Sequence, residues 1–317
     1  MHHFKKTITG AAAVAVSVTG LAAGAVTAAP SASATDCSNV YFLVDGHLNG
    51  TTGNTWKNTV VPAGAHRVNF YYDDGIFPVG EPHDLDTTQR VAGPALEQQV
   101  VDFHKACPNA HITLTGYSFG ALIAGNVAAS LAGKTTVPHN QLNAILIADP
   151  RRAVSSTGVE GPAGGIMSVL PDLPGMHMTG PRDFKDVKYS ELCRQDDPIC
   201  NLANPISNAV AAVNQGTRFP GSHVQYGPAW VNPAAYADGT NQMWSPTTPV
   251  NWGAPAFPSP TPNQLLNPNP IYQGVINGLS QAADALDWAK VLNSFGLPGD
   301  SLIHMLVVWA EGAGIQL

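Results

Sequence analysis

The sequence predicts an α/β protein: a three-layer α/β/α sandwich around a mainly parallel, five-stranded central sheet, with a C-terminal extension. Three observations carry this. Short apolar runs alternate with segments of helical periodicity from Val40 onward, the order that builds a parallel sheet with helices on both faces. The runs are nearly continuous in apolar residues, as strands buried on both sides must be. After Tyr226 the alternation gives way to a Pro- and Trp-rich stretch.

Taken in order, residues 1–34 read as a secretory signal peptide. Lys5 and Lys6 supply the positive end, Ile8 to Ala29 carries no charge, and Ala32-Ser33-Ala34 is a small-x-small cleavage site, with Ala29 as a second. A membrane anchor is the rival reading. The segment is too rich in Gly, Ser and Thr for that, and Asp36 before Cys37 does not fit a lipoprotein signal. No later apolar run has the length of a bilayer span, so no membrane insertion is expected.

Val40–Val44 and Val68–Tyr72 are the first two strand candidates. Thr87–Ala106 has Val91, Leu96, Val100, Val101 and Phe103 at roughly helical spacing. Ile112–Leu114 is a short strand, Leu122–Leu131 an Ala-rich helix, Leu142–Ala148 a strong strand and Val187–Leu192 a weaker one. The pattern thus assigns 35–230 to the sandwich and 231–317 to the extension. Ten prolines lie between Pro228 and Pro270, with Trp230, Trp244 and Trp252. Such a stretch excludes a regular helix or a central strand. Val275, Leu279, Ala282, Leu286 and Ala289 then mark an amphipathic helix, and Leu302–Trp309 a short last one.

The formal net charge is −7, and loss of Lys5 and Lys6 with the leader makes the chain more acidic still. With few, scattered Lys and Arg, nucleic acid is not an expected partner. The four cysteines allow three pairings, and an even count in an exported chain favours two disulfides. The short separation of Cys193 and Cys200 favours a local bridge, which leaves Cys37 with Cys107. The spacings match no zinc pattern.

Gly116-Tyr117-Ser118-Phe119-Gly120 matches G-x-S-x-G. Alone the motif is weak. Here a strand candidate precedes it and a helix candidate follows, the context that a nucleophile elbow requires. The sharp turn exposes the serine hydroxyl, and the next helix aims its first amides at a developing oxyanion. The Phe119 N–H is then one oxyanion donor. In such a triad the acid and then the base follow the serine. His139 and His177 lie in loops, and His304 in an apolar C-terminal segment. His223 lies in a loop after the last strand candidate. Asp149 comes one crossover too early for the acid. Asp196 and Asp197, inside the Cys193–Cys200 loop, both remain open on pattern alone.

These residues resemble the cutinase family, within the α/β-hydrolase superfamily of serine esterases. Cys107-Pro108-Asn109-Ala110 through Gly120-Ala121 is similar to that family's block running into the serine elbow. Cys193-x-x-x-Asp197-x-x-Cys200 resembles its disulfide-enclosed aspartate, which implies Asp197 rather than Asp196. His223-x-x-Tyr226-Gly227 resembles its histidine segment, and Cys37 sits where the partner of Cys107 belongs. The resemblance covers about Cys37 to Gly227. It implies a Ser118–Asp197–His223 triad, no metal or organic cofactor, and an acyl-ester substrate met outside the cell: a lipid, a polyester or a cell-envelope ester.

The chain also departs from the family. Phe119 replaces the usual Gln after the serine. His47 stands where an ungapped match would put the second, hydroxyl-bearing oxyanion residue. Gly50-Thr51 looks more like the Gly-Thr turn of the related PE-PPE hydrolase domains of actinobacteria, so Thr51 is the favoured second donor and His47 the alternative. The long Asp149–Phe184 segment, with Gly164-Gly165, also looks closer to that branch and reads as a flap lining an acyl pocket. Two rival functions share these residues. One is an acyltransferase using the same acyl-enzyme. The other is a non-catalytic envelope- or carbohydrate-binding protein on a hydrolase scaffold.

Overall fold

A computed structural model describes residues 36–252, apart from 77–80, 82, 174 and 206. The expected signal peptide, the two C-terminal helices and His304 lie outside the described residues.

The elements run β1 (Asn39–Val44), β2 (Ala65–Phe70), α1 (Leu85–Ala106), β3 (Ile112–Tyr117), α2 (Phe119–Ala132), β4 (Leu142–Ile147), β5 (Ala163–Gly164), α3 (Ile166–Val169), β6 (Lys188–Arg194), β7 (Leu202–Ala203), α4 (Ala209–Ser222), α5 (Gly227–Val231) and β8 (Gln242–Trp244). The main sheet has the order β2-β1-β3-β4-β6-β8, and every pair in it is parallel. β5 and β7 form a small antiparallel ribbon beside it.

The central strands bury both faces because alternate residues serve different layers. In β1, Val40, Phe42 and Val44 join one core with Leu96 and Val100 of α1 and Leu122, Ile123, Val127 and Leu131 of α2. Tyr41 and Leu43 point the other way, to Trp56, Ile145, Ile147, Leu192 and Tyr226. On that second face the cover is short helix and aromatic chain, with Trp230 and Trp244 packed against it. Two disulfides, Cys37–Cys107 and Cys193–Cys200, tie the chain before β1 to the end of α1 and close the loop after β6.

Among the described residues the sheet holds six strands where five are expected. The sixth, β8, comes from the Pro/Trp-rich stretch and pairs Cys193 with Met243 at the sheet edge, where a short strand between proline-rich segments fits. The sequence also gives no hint of α4. Gly216, Pro220 and Gly221 lie within it, residues of poor helix propensity that hide its period. Asn208 caps it by accepting the Ala211 N–H at 3.0 Å.

Candidate active site

Ser118 is the single residue between β3 and α2, and it makes the whole reversal of direction. Its backbone sits at φ 56°, ψ −123°, a sparsely populated region that costs about 1–3 kcal/mol for a residue with a side chain. Its N–H is held by the Ile147 carbonyl at the end of β4, 2.8 Å away. The flanking glycines are steric necessities. A Cβ on Gly116 would lie 2.3 Å from the Gly120 oxygen, and one on Gly120 would lie 2.1 Å from the Val44 oxygen.

His223 follows directly on α4 as its C-cap, so a helix end positions it rather than the loop after a strand expected from sequence. Its Nε2 is 2.8 Å from Ser118 Oγ, and its Nδ1 is 2.9 Å from Asp197 Oδ2. The rings of Tyr117 and Phe219 stack on the imidazole at 5.1 and 4.9 Å. The Tyr117 hydroxyl donates to the His223 carbonyl at 2.8 Å. Asp197 is fully buried. Its Oδ1 accepts the Ile199 N–H at 3.0 Å, and its Oδ2 also accepts the Tyr226 hydroxyl at 2.8 Å. Asp196 faces elsewhere, paired with Arg194 at 3.1 Å. The chain therefore brings Ser118, His223 and Asp197 into one hydrogen-bonded line and leaves Asp196 out of it. His139 and His177 pair with Asp186 and Asp172 instead.

The Phe119 amide opens α2, where the first N–H groups have no acceptor within the helix. The Phe119 ring is buried and meets Tyr72 edge-on at 5.9 Å. Opposite, the segment after β1 comes up against the serine: a Cβ on Gly46 would lie 3.1 Å from Ser118 Cβ. Asp45 fixes this segment by accepting the Gly46 and Thr55 N–H groups at 2.7 and 2.8 Å. Burial pushes the Asp45 carboxyl above its usual range, against the pull of those hydrogen bonds. His47 follows Gly46, and its ring turns to the Asp74 carbonyl at 2.8 Å and Glu81 at 3.2 Å. Thr51 is exposed, in the turn beyond. Gly46, adjacent to His47, thus lies against the serine, and Thr51 lies in an exposed turn.

The 149–184 segment is fastened by buried charge. Arg182 pairs with Asp149 and donates to the Asn126 side chain and the Leu122 carbonyl at 2.8 and 2.9 Å. Gly125 leaves the room for it, since a Cβ there would lie 2.7 Å from the guanidinium carbon. Burial, and then the Asp149 charge, pushes the Glu191 carboxyl up to about 7. Sequence reasoning missed this cluster, along with Asp45 and Tyr117. Isolated Arg, Asp and Glu in a loop-rich stretch carry no periodic signal.

A profile of the cutinase family matches residues 44–237, more than half of the chain. The chain belongs to the cutinase family. A carboxylesterase Culp6 homologue of Corynebacterium glutamicum is 26% identical over 180 residues, 50% of this chain and 56% of that protein. The chain thus spans little more than half the length of this curated relative. Among solved structures it is similar to a cutinase-like protein from Cryptococcus sp., with 16% identity, TM-score 0.37, and coverage of 55% of this chain and 84% of that one. It is also similar to the catalytic core domain of acetyl xylan esterase from Trichoderma reesei, with 16% identity, TM-score 0.38, and coverage of 63% and 96%. No helix among the described residues is long and apolar enough to cross a membrane.

Proposed function

We propose that the protein is an exported serine esterase that hydrolyses carboxylic esters through Ser118, His223 and Asp197. The observation that carries this reading is the continuous pair of hydrogen bonds, 2.8 and 2.9 Å, joining the strained Ser118 through His223 to a buried carboxylate. Ser118 Oγ attacks the acyl carbon while His223 Nε2 takes its proton. His223 then returns that proton to the leaving alcohol, which gives an acyl-enzyme. Water, deprotonated by the same nitrogen, releases the acid and restores the serine. Asp197 holds Nδ1–H toward itself and stabilises the imidazolium. The oxyanion is held by the Phe119 amide and, on the side where Gly46 meets the serine, by the amide of His47. Two disulfides support an oxidising destination, as does the leader reading of residues 1–34.

The substrate is an acyl ester such as a lipid, a polyester or an envelope ester, a class supported by the family and by the relative named a carboxylesterase. The test is hydrolysis of p-nitrophenyl esters of increasing acyl length by the mature protein and by Ser118→Ala. Turnover that disappears in the variant supports the reading, and the chain-length optimum sizes the acyl site. Turnover that survives in Ser118→Ala rejects it.

A further inference from the structure

The acid of the triad receives a side-chain donor, the Tyr226 hydroxyl, that the mechanism above does not use. Tyr226 is fully buried, three residues after His223. Its ring packs against Tyr117 and Trp244, with centroids 6.2 and 5.5 Å apart. The direction of each hydrogen bond at its hydroxyl is fixed by chemistry. The Arg194 N–H, 2.8 Å away, can only donate to the phenol oxygen. The phenol's single proton goes to Asp197 Oδ2, also 2.8 Å away, rather than to the Cys200 disulfide sulfur at 3.4 Å, because an ionised carboxylate is much the stronger acceptor. Asp197 Oδ2 is the oxygen that meets His223 Nδ1. Burial, reinforced by the Asp197 charge, holds the phenol protonated far above its ordinary range. The hydroxyl is thus a permanent donor.

We infer that Tyr226 is a positioning residue for the proposed triad, acting through the Arg194 N–H → Tyr226 O–H → Asp197 Oδ2 chain to keep the carboxylate aimed at His223. The inference rests on the Ser118–His223–Asp197 reading and extends it. Two consequences follow from the chemistry. The first concerns geometry: with two donors on one oxygen and the Ile199 amide on the other, the carboxylate cannot rotate away from the imidazole. The second concerns charge. A hydrogen bond to the ionised form favours that form. Without it, the fuller charge on Oδ2 strengthens its hold on the Nδ1–H, which moves the acid limb of the kcat/KM–pH profile to higher pH.

The test is Tyr226→Phe, which keeps the ring and deletes the hydroxyl, beside 3-fluorotyrosine at the same position, which keeps the hydroxyl and makes it a stronger donor. A hydrogen bond to a charged group is commonly worth about ten- to a hundredfold. The expected result for Tyr226→Phe is a kcat lower by roughly that factor with KM little changed. The acid limb should rank Phe highest in pH, Tyr next and fluorotyrosine lowest. If Tyr226→Phe does not fold, the fluorotyrosine enzyme alone decides, by a downward shift of its acid limb or none. Wild-type kcat and an unmoved acid limb in the Phe variant, or a fluorotyrosine profile identical to wild type, overturn the inference. Ser118→Ala is run alongside. If that variant loses turnover while both Tyr226 variants match wild type, the inference alone fails. If Ser118→Ala stays active, the triad reading fails with it.

Discussion

The two halves of the candidate site are built in opposite ways. The serine half is contiguous: Gly116 to Gly120, a strand end, one strained residue and a helix start. Backbone sterics hold it, because a Cβ on either glycine would overlap backbone oxygens. The acid–base half is assembled from separate pieces, namely a disulfide-closed loop with Asp197, the end of α4 with His223, and the start of α5 with Tyr226. Hydrogen bonds, ring stacking and buried charge hold it. A sterically fixed turn tolerates almost no substitution in its frame. A hydrogen-bonded assembly should degrade in steps.

The largest effect expected is at the point where the halves meet. Ser118→Ala should lower kcat by about 10⁴- to 10⁶-fold, leaving only what binding and the oxyanion donors supply, in a steady-state ester assay. Asp197→Asn should come next, with a loss of about 10⁴-fold through the wrong imidazole tautomer. Asp196→Asn should keep near-wild-type turnover and lose stability instead, because Arg194 is left buried beside it. If the two aspartate variants exchange these behaviours, the acid has been assigned to the wrong residue.

The steric character of the serine half is sharpened by Gly120→Ala. Its new methyl would meet the Val44 and Asp45 oxygens at 2.1 and 2.3 Å, which no side-chain rearrangement relieves. Destabilisation of about 3 kcal/mol or more is expected in denaturant melts, along with lost activity. A Gly120→Ala protein of wild-type stability would break the contrast drawn above.

The smallest effect concerns the buried charge that fastens the 149–184 segment. The Glu191 carboxyl, raised to about 7 by burial and the Asp149 charge, binds its proton more tightly folded than unfolded. Its contribution to stability is therefore complete at low pH, below the unfolded carboxyl's range, and is lost as pH rises through about 7. Glu191→Gln should remove this part of the pH dependence, a matter of about 1–3 kcal/mol between acidic and mildly alkaline solution. The measurement is the unfolding midpoint as a function of pH. Parallel wild-type and variant curves would reject it.

Legibility from sequence followed the same division. The five expected strands all form, since an apolar run flanked by turn residues is a local signal. So is the serine elbow, because its glycine demand is written into five consecutive residues. α4 was hidden by its own Gly and Pro, so the histidine it positions looked like part of a loop. β8 was hidden because three residues carry no period, and the sheet closed with six strands. Asp197 was separated from Asp196 by resemblance to a family and not by any physical pattern. In the turn after β1 the Gly-Thr pair drew attention to Thr51, and the structure also brings Gly46 up against Ser118. Nothing in composition announces a close backbone approach between segments some seventy residues apart.

The central claim is that Ser118 is a nucleophile activated by His223. The most direct measurement is stoichiometric labelling by a fluorophosphonate, with the modified peptide located by mass spectrometry, in wild type and in His223→Ala. The expected result is one adduct per chain, on Ser118, formed at least about a hundredfold more slowly without the imidazole. An adduct on another residue, or equal labelling rates in the two proteins, would contradict the account.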